Sequence, residues 1–267
     1  MAQKCRIYST EDFAHLRKAG ELAAHILDYI NSYVTKGVTT LELDRLCHEE
    51  ILRHNAVPAP LGYNGYPKAT CISVNHVVCH GIPSDKKLVD GDILNIDITV
   101  MLNGWYGDAS RMYIVGKPSK RALELIDAAY ESLMLAIGLV RPGICLGDIG
   151  HAIQSFVEAR KFSVVRDYCG HGIGRVFHDD PTVLHFGKPG TGLVLEPGNV
   201  FTIEPMINVG GYKTKVLKDG WTAVTSDRSL SAQFEHTIGV TEEGCEIFTL
   251  SKLGMCKPPY DTTNKRQ

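Results

Sequence analysis

The sequence predicts an α+β fold in which a helix pair followed by antiparallel strands occurs twice, as a pseudo-two-fold repeat. Three observations carry that reading. Apolar residues recur at helical spacing in two separate pairs of segments, and each pair is accompanied by strand-like runs. One acid then sits in a matching run of each half. Asp97 lies in Gly91-Asp92-Ile93-Leu94-Asn95-Ile96-Asp97-Ile98-Thr99-Val100, and Glu204 lies in Gly198-Asn199-Val200-Phe201-Thr202-Ile203-Glu204.

The elements follow in order. From about Thr10 to Tyr33, the residues Leu16, Ala19, Ala23, Ile26 and Ile30 mark one face of a helix, and Ser9 with Asp12 resembles a capping box at its start. Gly37-Val38-Thr39 interrupts the pattern before a second helix through Leu41, Leu46 and Ile51. The segment from Val57 to Thr70, rich in Pro, Gly and Tyr, reads as a pocket wall rather than a linker. After the strand that carries Asp97, Asn103-Gly104 signals a two-residue hairpin turn of the primed type. That turn pairs Leu102 with Trp105 and Thr99 with Asp108, which sets Asp108 diagonally across from Asp97.

Past Pro118-Ser119 the helical spacing returns through Leu123, Ile126, Ala129, Leu133 and Ile137, breaks at Pro142-Gly143-Ile144, and resumes through Ile149, Ile153 and Val157. The strand ending at Glu204 and a later strand run from Ala232 to Val240, which carries Glu235, complete the second half. No low-complexity segment or interdomain linker interrupts the chain. A single domain is therefore expected over residues 1–267, with its core at about 10–250 and a mobile tail at 257–267.

Composition narrows the function classes. A length of 267 residues with 44% hydrophobic content supports a substantial core, and a net charge of -2 gives no electrostatic case for nucleic acid or an anionic membrane. No apolar run approaches the roughly eighteen residues that a membrane helix needs, and the opening residues lack a signal-peptide core. Eight scattered cysteines without a C-x-x-C pair read as reduced thiols, so a cytoplasmic protein is expected.

A buried carboxylate costs on the order of several kcal/mol unless its charge is compensated. Asp97, Asp108, Glu204 and Glu235 converge by pseudo-symmetry, and like charges this close do not all ionise unaided. A shared metal is the expected partner. His171, in Cys169-Gly170-His171-Gly172-Ile173-Gly174, is a fifth candidate ligand, because its flanking glycines let backbone approach closely and leave the imidazole accessible. The phosphate-binding Gly-x-Gly-x-x-Gly fingerprint at a helix start is absent. Two Asp, two Glu and one His suit Mn, Fe, Co or Zn in a hydrolytic centre of two divalent ions better than a structural zinc site. His76, His151, His185 and His236 read as ordinary structural histidines, with His236 a candidate support for the ligand beside it.

The motifs Asn75-His76-Val77-Val78-Cys79-His80-Gly81-Ile82-Pro83, Asn95-Ile96-Asp97, Gly107-Asp108, Gly170-His171-Gly172-Ile173-Gly174, Thr202-Ile203-Glu204-Pro205 and Gln233-Phe234-Glu235-His236-Thr237 occur in that order. Together they resemble the type I methionine aminopeptidases of the short bacterial kind, from about residue 10 to 250. The resemblance implies a pita-bread fold around a central metal site. It implies Asp97 on one metal, His171 and Glu204 on the other, and Asp108 and Glu235 bridging. It implies catalytic roles for His80, His178 and Glu204, and a methionine pocket lined by Tyr63, Tyr66, Cys71, Phe177 and Trp221, with His80 and His178 also touching substrate. Asn75, Val77 and Ser231 resemble positions that hold a monovalent cation in some members. Pro60 departs from the family pattern, standing where a cysteine often precedes the Leu-Gly-Tyr run.

The implied activity is removal of the initiator methionine when the second residue is small. Glu204 would take a proton from the attacking water, His178 would hydrogen-bond the carbonyl oxygen, and His80 would contact the scissile amide nitrogen. Expected partners are nascent polypeptide N-termini, with ribosome contact left open, no sequence-specific nucleic acid and no membrane, and the protein acting as a monomer. Two rivals remain: a proline-directed peptidase of the same fold, and a metal-free peptide-binding module, which would typically have lost ligands.

Overall fold

A computed structural model of the protein describes residues 5–260. Helix α1 (Thr10–Ile30) opens with a reciprocal cap: the Ser9 hydroxyl accepts the Asp12 N–H at 3.2 Å, and the Asp12 carboxylate accepts the Ser9 N–H at 2.9 Å. It stops short of Tyr33, because Asn31–Tyr33 tightens into a 3-10 turn. Helix α2 (Thr40–Arg53) begins at Thr39, whose hydroxyl accepts the Glu42 N–H. In the second half α3 (Lys120–Leu139) starts from a Ser119 cap, and α4 (Leu146–Ala159) follows after the Pro142-Gly143 break.

The main strands are β1 (Cys71–Val74), β2 (Ile93–Leu102), β3 (Trp105–Ile114), β4 (Gly170–Gly172), β5 (Asp179–Val183), β6 (Val200–Ile203) and β7 (Glu235–Val240). They pair antiparallel in the spatial order β1, β2, β3, β7, β6, β4, β5. Val57–Pro58 joins β2 beside β1, and Cys245–Ile247 joins β7, to complete a nine-stranded sheet. The hairpin between β2 and β3 turns at Asn103 (φ 53°) and Gly104 (φ 78°), the double positive φ of a type I′ turn. Its register is the expected one, Leu102 opposite Trp105 and Thr99 opposite Asp108.

The run from Ala232 to Val240 is not one strand. Ser231–Gln233 pairs with Met206–Asn208 in a separate small sheet, and Glu235–Val240 enters the main sheet. Between them the buried Phe234 packs edge-on to Tyr130 of α3, and that anchor takes the backbone out of one sheet and into the other. Glu204 likewise lies one residue beyond β6, where Pro205 has no N–H to continue a ladder.

The helices cover one face of the sheet. Ile96, Ile98 and Val100 of β2 pack with Ile26, Leu27, Leu43 and Ile51 of α1 and α2, while Phe201, Ile203 and Ile238 pack with residues of α3 and α4. Strand alternation then turns Asp97, Thr99, Thr202 and Glu204 to the opposite face. The ends of the chain tie the halves together. The Tyr8 N–H donates to Gly198 O at 2.8 Å, and the Tyr260 hydroxyl donates to Met112 O at 2.7 Å. Lys257 donates to Asp127 at 2.5 Å, so residues 257–260 are docked rather than free, while 261–267 of the expected mobile tail lie outside the described residues.

Helix α1 approaches β3 so closely that a Cβ added at Gly107 would lie 2.3 Å from the Ala19 carbonyl carbon. Gly107→Ala therefore forces the helix off the hairpin beside Asp108, and it should lower stability by about 1–3 kcal/mol, the usual range for overpacking. Urea denaturation reads this directly; an unchanged midpoint would show that the contact has slack.

Candidate metal centre

The sheet register alone gathers the predicted acids. Asp97 on β2 stands opposite Ser110 on β3, and Ser110 stands opposite Glu235 on β7. The β7–β6 register, continued by one residue, brings Glu204 opposite Glu235. The neighbouring row runs Thr99, Asp108, Thr237, Thr202 across the same strands, and the His171 N–H on β4 donates to the Thr202 hydroxyl at 3.0 Å to extend it. Two adjacent rows of one sheet face thus supply all five predicted ligands. Asp108, His171 and Glu235 can each present a ligand atom within 4.8 Å of the others. His171 Nε2 is 3.6 Å from Asp108 Oδ2 and 3.7 Å from Glu204 Oε1.

Three of the five, Asp108, His171 and Glu204, are held by hydrogen-bond partners. The Thr99 hydroxyl donates to Asp108 Oδ1 at 2.7 Å, and the Thr202 hydroxyl donates to Glu204 Oε1 at 2.8 Å. The Gln233 amide donates to Glu204 Oε2 at 3.1 Å. Thr237 donates its hydroxyl to the Asp108 carbonyl at 2.7 Å and accepts the Asp108 N–H at 3.2 Å. His171 Nδ1 lies 3.0 Å from Gly172 O, a carbonyl that can only accept, so Nδ1 carries a proton and Nε2 is the nitrogen left facing Asp108 and Glu204.

The electrostatics fit a cation. Burial first, and then the charges of Asp108 and Glu204, push the Asp97 carboxyl well above the usual carboxylate range. Burial first, then Asp108, Glu204 and Asp97, does the same to Glu235. Burial raises Glu204 to about 7. Burial alone would lower His171, but Asp108 and Glu204 outweigh it and raise the imidazole. No Lys or Arg among the described residues lines this cavity. Four acids around one imidazole lack a counter-charge, and one or two divalent ions would provide it.

The centre forms the floor of a cavity of about 560 Å³. Tyr63, Tyr66, Cys71, His80, Phe177, His178 and Trp221 all line it, as does Pro60. Tyr63 packs against Phe177 at 4.8 Å between ring centroids, and Tyr66 sits edge-on to Trp221 at 5.1 Å. The Tyr66 hydroxyl is engaged with Thr70 O and Gly81 O, each at 3.0 Å, so its ring rather than its polar end faces the cavity. His80 occupies the left-handed backbone region at φ 54°, a conformation that costs a non-glycine residue strain and is common at functional sites. Burial lowers the pKa of His80, and it lowers that of His178 to about 4, with His171 adding to the effect.

The structure changes the expectation for two histidines, giving His185 a role at the site and removing the one suggested for His236. His185 is fully buried, and its Nε2 accepts the Glu204 N–H at 3.1 Å; burial lowers its pKa to about 3 and keeps it the neutral acceptor this bond needs. His236 does not support Glu235: strand alternation turns it to the other face, where Nδ1 meets the Thr249 hydroxyl at 2.8 Å. The sequence gives no supporting role to Thr99, Thr202, Thr237 or Gln233, although all four stand in the runs that carry the acids. Each lies two positions from an acid in a strand-like run, and that spacing was the signal that could have found them.

Of Asn75, Val77 and Ser231, the first and last are joined directly, while Val77 pairs with Val224. The Ser231 N–H donates to Asn75 O at 2.8 Å, and the buried Ser231 hydroxyl has no hydrogen-bond partner. The Asn75 side chain is turned away, to Asp92 and the Ile93 N–H.

Comparison with known proteins agrees with this geometry. Residues 14–242 match the model of metallopeptidase family M24. A methionine aminopeptidase of Rickettsia prowazekii is 59% identical over 256 residues, covering 96% of this chain and 99% of that protein. A crystal structure of methionine aminopeptidase from the same organism superposes with a TM-score of 0.92, covering 92% of this chain and all of that one, at 59% identity. The prolidase of Pyrococcus horikoshii shares the fold, with a TM-score of 0.74 at 22% identity, and this chain covers 64% of its length.

The His185 contact generates a test. His185→Leu leaves the buried Glu204 N–H without an acceptor and should cost about 1–3 kcal/mol in the metal-free protein. His185→Gln, whose amide oxygen can accept the same N–H, should recover part of that loss in a thermal melt. Equal melts for Leu and Gln variants would make His185 a space-filler only.

Proposed function

The chain belongs to metallopeptidase family M24, and from that premise we propose that it removes the N-terminal methionine of peptides and nascent proteins whose second residue is small. The carrying observation is the joining of five ligand-type side chains to an aromatic pocket in one cavity. High identity to methionine aminopeptidases over nearly the whole chain supports the same reading. Asp97, Asp108, His171, Glu204 and Glu235 would hold two divalent ions, drawn from Mn, Fe, Co or Zn, with Asp108 and Glu235 shared, Asp97 on one ion, and His171 and Glu204 on the other. When bound, such ions supply Lewis acidity toward water and a peptide carbonyl.

The remaining steps belong to the chain's own residues. Glu204, aimed by Thr202 and Gln233, accepts the proton of the attacking water. His178 Nδ1 is 2.9 Å from the Tyr63 hydroxyl. If Tyr63 donates to Nδ1, the imidazole proton sits on Nε2, where a neutral His178 can donate to the substrate carbonyl oxygen as charge develops there. His80, edge-on to Trp221, sits at the rim and contacts the amide nitrogen that leaves. Tyr63, Tyr66, Cys71, Phe177 and Trp221 offer apolar surface to an unbranched thioether side chain, and the second residue would lie beside His80 and the acid-lined floor, where a small side chain is favoured.

The unpartnered Ser231 hydroxyl supports a monovalent cation held with the Asn75 and Val77 carbonyls. We read the chain as a single metallopeptidase domain, acting as a monomer in the cytoplasm on nascent polypeptide N-termini. Transient ribosome contact is a further part of that reading. No helix among the described residues is long and apolar enough to cross a membrane.

Chelation should abolish peptidase activity and divalent ions should restore it, with Asp108→Ala and Glu235→Ala near background under all metals. Full activity of metal-free protein would remove the basis of the metal reading. Specificity is tested with matched tetrapeptides varied at positions one and two. Met-Ala, Met-Gly and Met-Ser should be cleaved well and Met-Lys, Met-Glu and Met-Phe poorly. Leu or norleucine in place of Met should lose about 1–3 kcal/mol of transition-state binding. Comparable kcat/KM for Met-Ala and Met-Phe, or preference for a bond to proline, would point to a broader or proline-directed peptidase.

A further inference from the structure

Outside the cavity, the first helix pair carries a second cluster of metal-ligating side chains. His25 projects from α1, Glu50 lies in the last turns of α2, and His54 is the residue that ends α2. One carboxylate oxygen, Glu50 Oε1, is 3.1 Å from His25 Nε2 and 3.4 Å from His54 Nε2. All three residues can present a ligand atom within 4.8 Å of one another, and none lines the cavity of the metal centre. Two ligand atoms each about 2.0–2.1 Å from a tetrahedral ion are about 3.3 Å apart, so the two observed N···O edges bracket that value. Side chains already at that spacing need little movement to close on an ion.

The surroundings favour a cation at this point. The other Glu50 oxygen accepts from Arg53 at 2.8 Å, which fixes the carboxylate and leaves Oε1 turned to the imidazoles, in the manner of an outer partner that orients a metal ligand. Burial would raise the Glu50 carboxyl, but hydrogen bonds from His25, Arg53 and His54 hold it below its ordinary value, so it is available as an anion. The site is at the C-terminal end of α2, where the helix dipole favours positive charge. The side chains of His25 and His54 are 47% and 45% exposed, which leaves room for water to complete the coordination sphere.

We propose that His25, Glu50 and His54 form a second, surface site for a divalent ion of the zinc class, bridging α1 to the end of α2. Two imidazoles and one carboxylate select Zn²⁺ over Mg²⁺ or Ca²⁺, which prefer all-oxygen sites. The site rests on these three side chains alone and stands whatever the substrate of the cavity.

The test uses the metal-loaded enzyme and Zn²⁺ as the probe. Wild type, His25→Asn, His54→Asn and the double variant are dialysed against the same Zn²⁺ concentrations, and bound zinc is counted by atomic absorption. Wild type should hold one more zinc per chain than the double variant, and each single variant should bind that zinc at least about tenfold more weakly. Imidazole NMR signals of His25 and His54 should shift on its addition, and Zn²⁺ should raise the unfolding temperature of wild type but not of the double variant. Peptidase activity should be the same in all four proteins, and the zinc effect on unfolding is read for each protein against its own zinc-free melt. Equal zinc content in wild type and double variant, or zinc shifts confined to other histidines, would overturn the proposal and leave a hydrogen-bonded trio.

Discussion

The structure is organised around an electrostatic conflict: four carboxyl groups share one face of one sheet, in a cavity where burial already opposes the ionisation of Asp97, Glu204 and Glu235. Side-chain packing cannot relieve this, because no Lys or Arg among the described residues lines the cavity and the single imidazole among the acids offers at most one charge. The fold instead fixes where the acids point. Threonine hydroxyls, a glutamine amide and a neutral histidine each satisfy one lone pair or N–H of the ligand set, and the charge itself is left for a cation to balance. The orientation is thus built into the protein before any metal arrives.

That arrangement depends on the two faces of the sheet having opposite tasks. The helices bury the aliphatic half of every alternating strand, and this fixes register, because a one-residue slip would exchange the acids with isoleucines. The same alternation that assembles the core therefore assembles the site. Above it, burial favours the neutral forms of His80 and His178, so each can exchange hydrogen bonds with a substrate rather than compete as a charge.

How much of this was legible in the sequence can be followed residue by residue. Asn103-Gly104 dictated its turn, and from that turn alone Asp108 fell opposite Thr99 and near Asp97. A capping box and helical spacing placed α1 to within three positions, and helical spacing alone found α2, α3 and α4. What local pattern could not show was any change of course imposed by distant packing. Phe234 reads as one more apolar residue of a strand, and only its burial against Tyr130 makes it a break. His185 reads as a lone histidine, because the N–H it accepts is 19 residues away in sequence. The final residues read as a polar tail, yet Lys257 and Tyr260 find partners on α3 and β3 that composition does not reveal.

The pseudo-two-fold has a further consequence. On the second-half side, the strand outside the acid-bearing strand places His171 opposite Thr202, two residues before Glu204. On the first-half side, the equivalent strand places Ser73 opposite Asn95, two residues before Asp97. Ser73 spends its hydroxyl on the Gly81 N–H, and Asn95 spends its amide on Ser110 and Gln233. A backbone of near-equivalent halves would present the same cavity to a ligand entering in either of two orientations related by the dyad. One imidazole on one side removes that degeneracy, so the cavity acquires a direction, and a chain end entering it meets chemically distinct left and right walls.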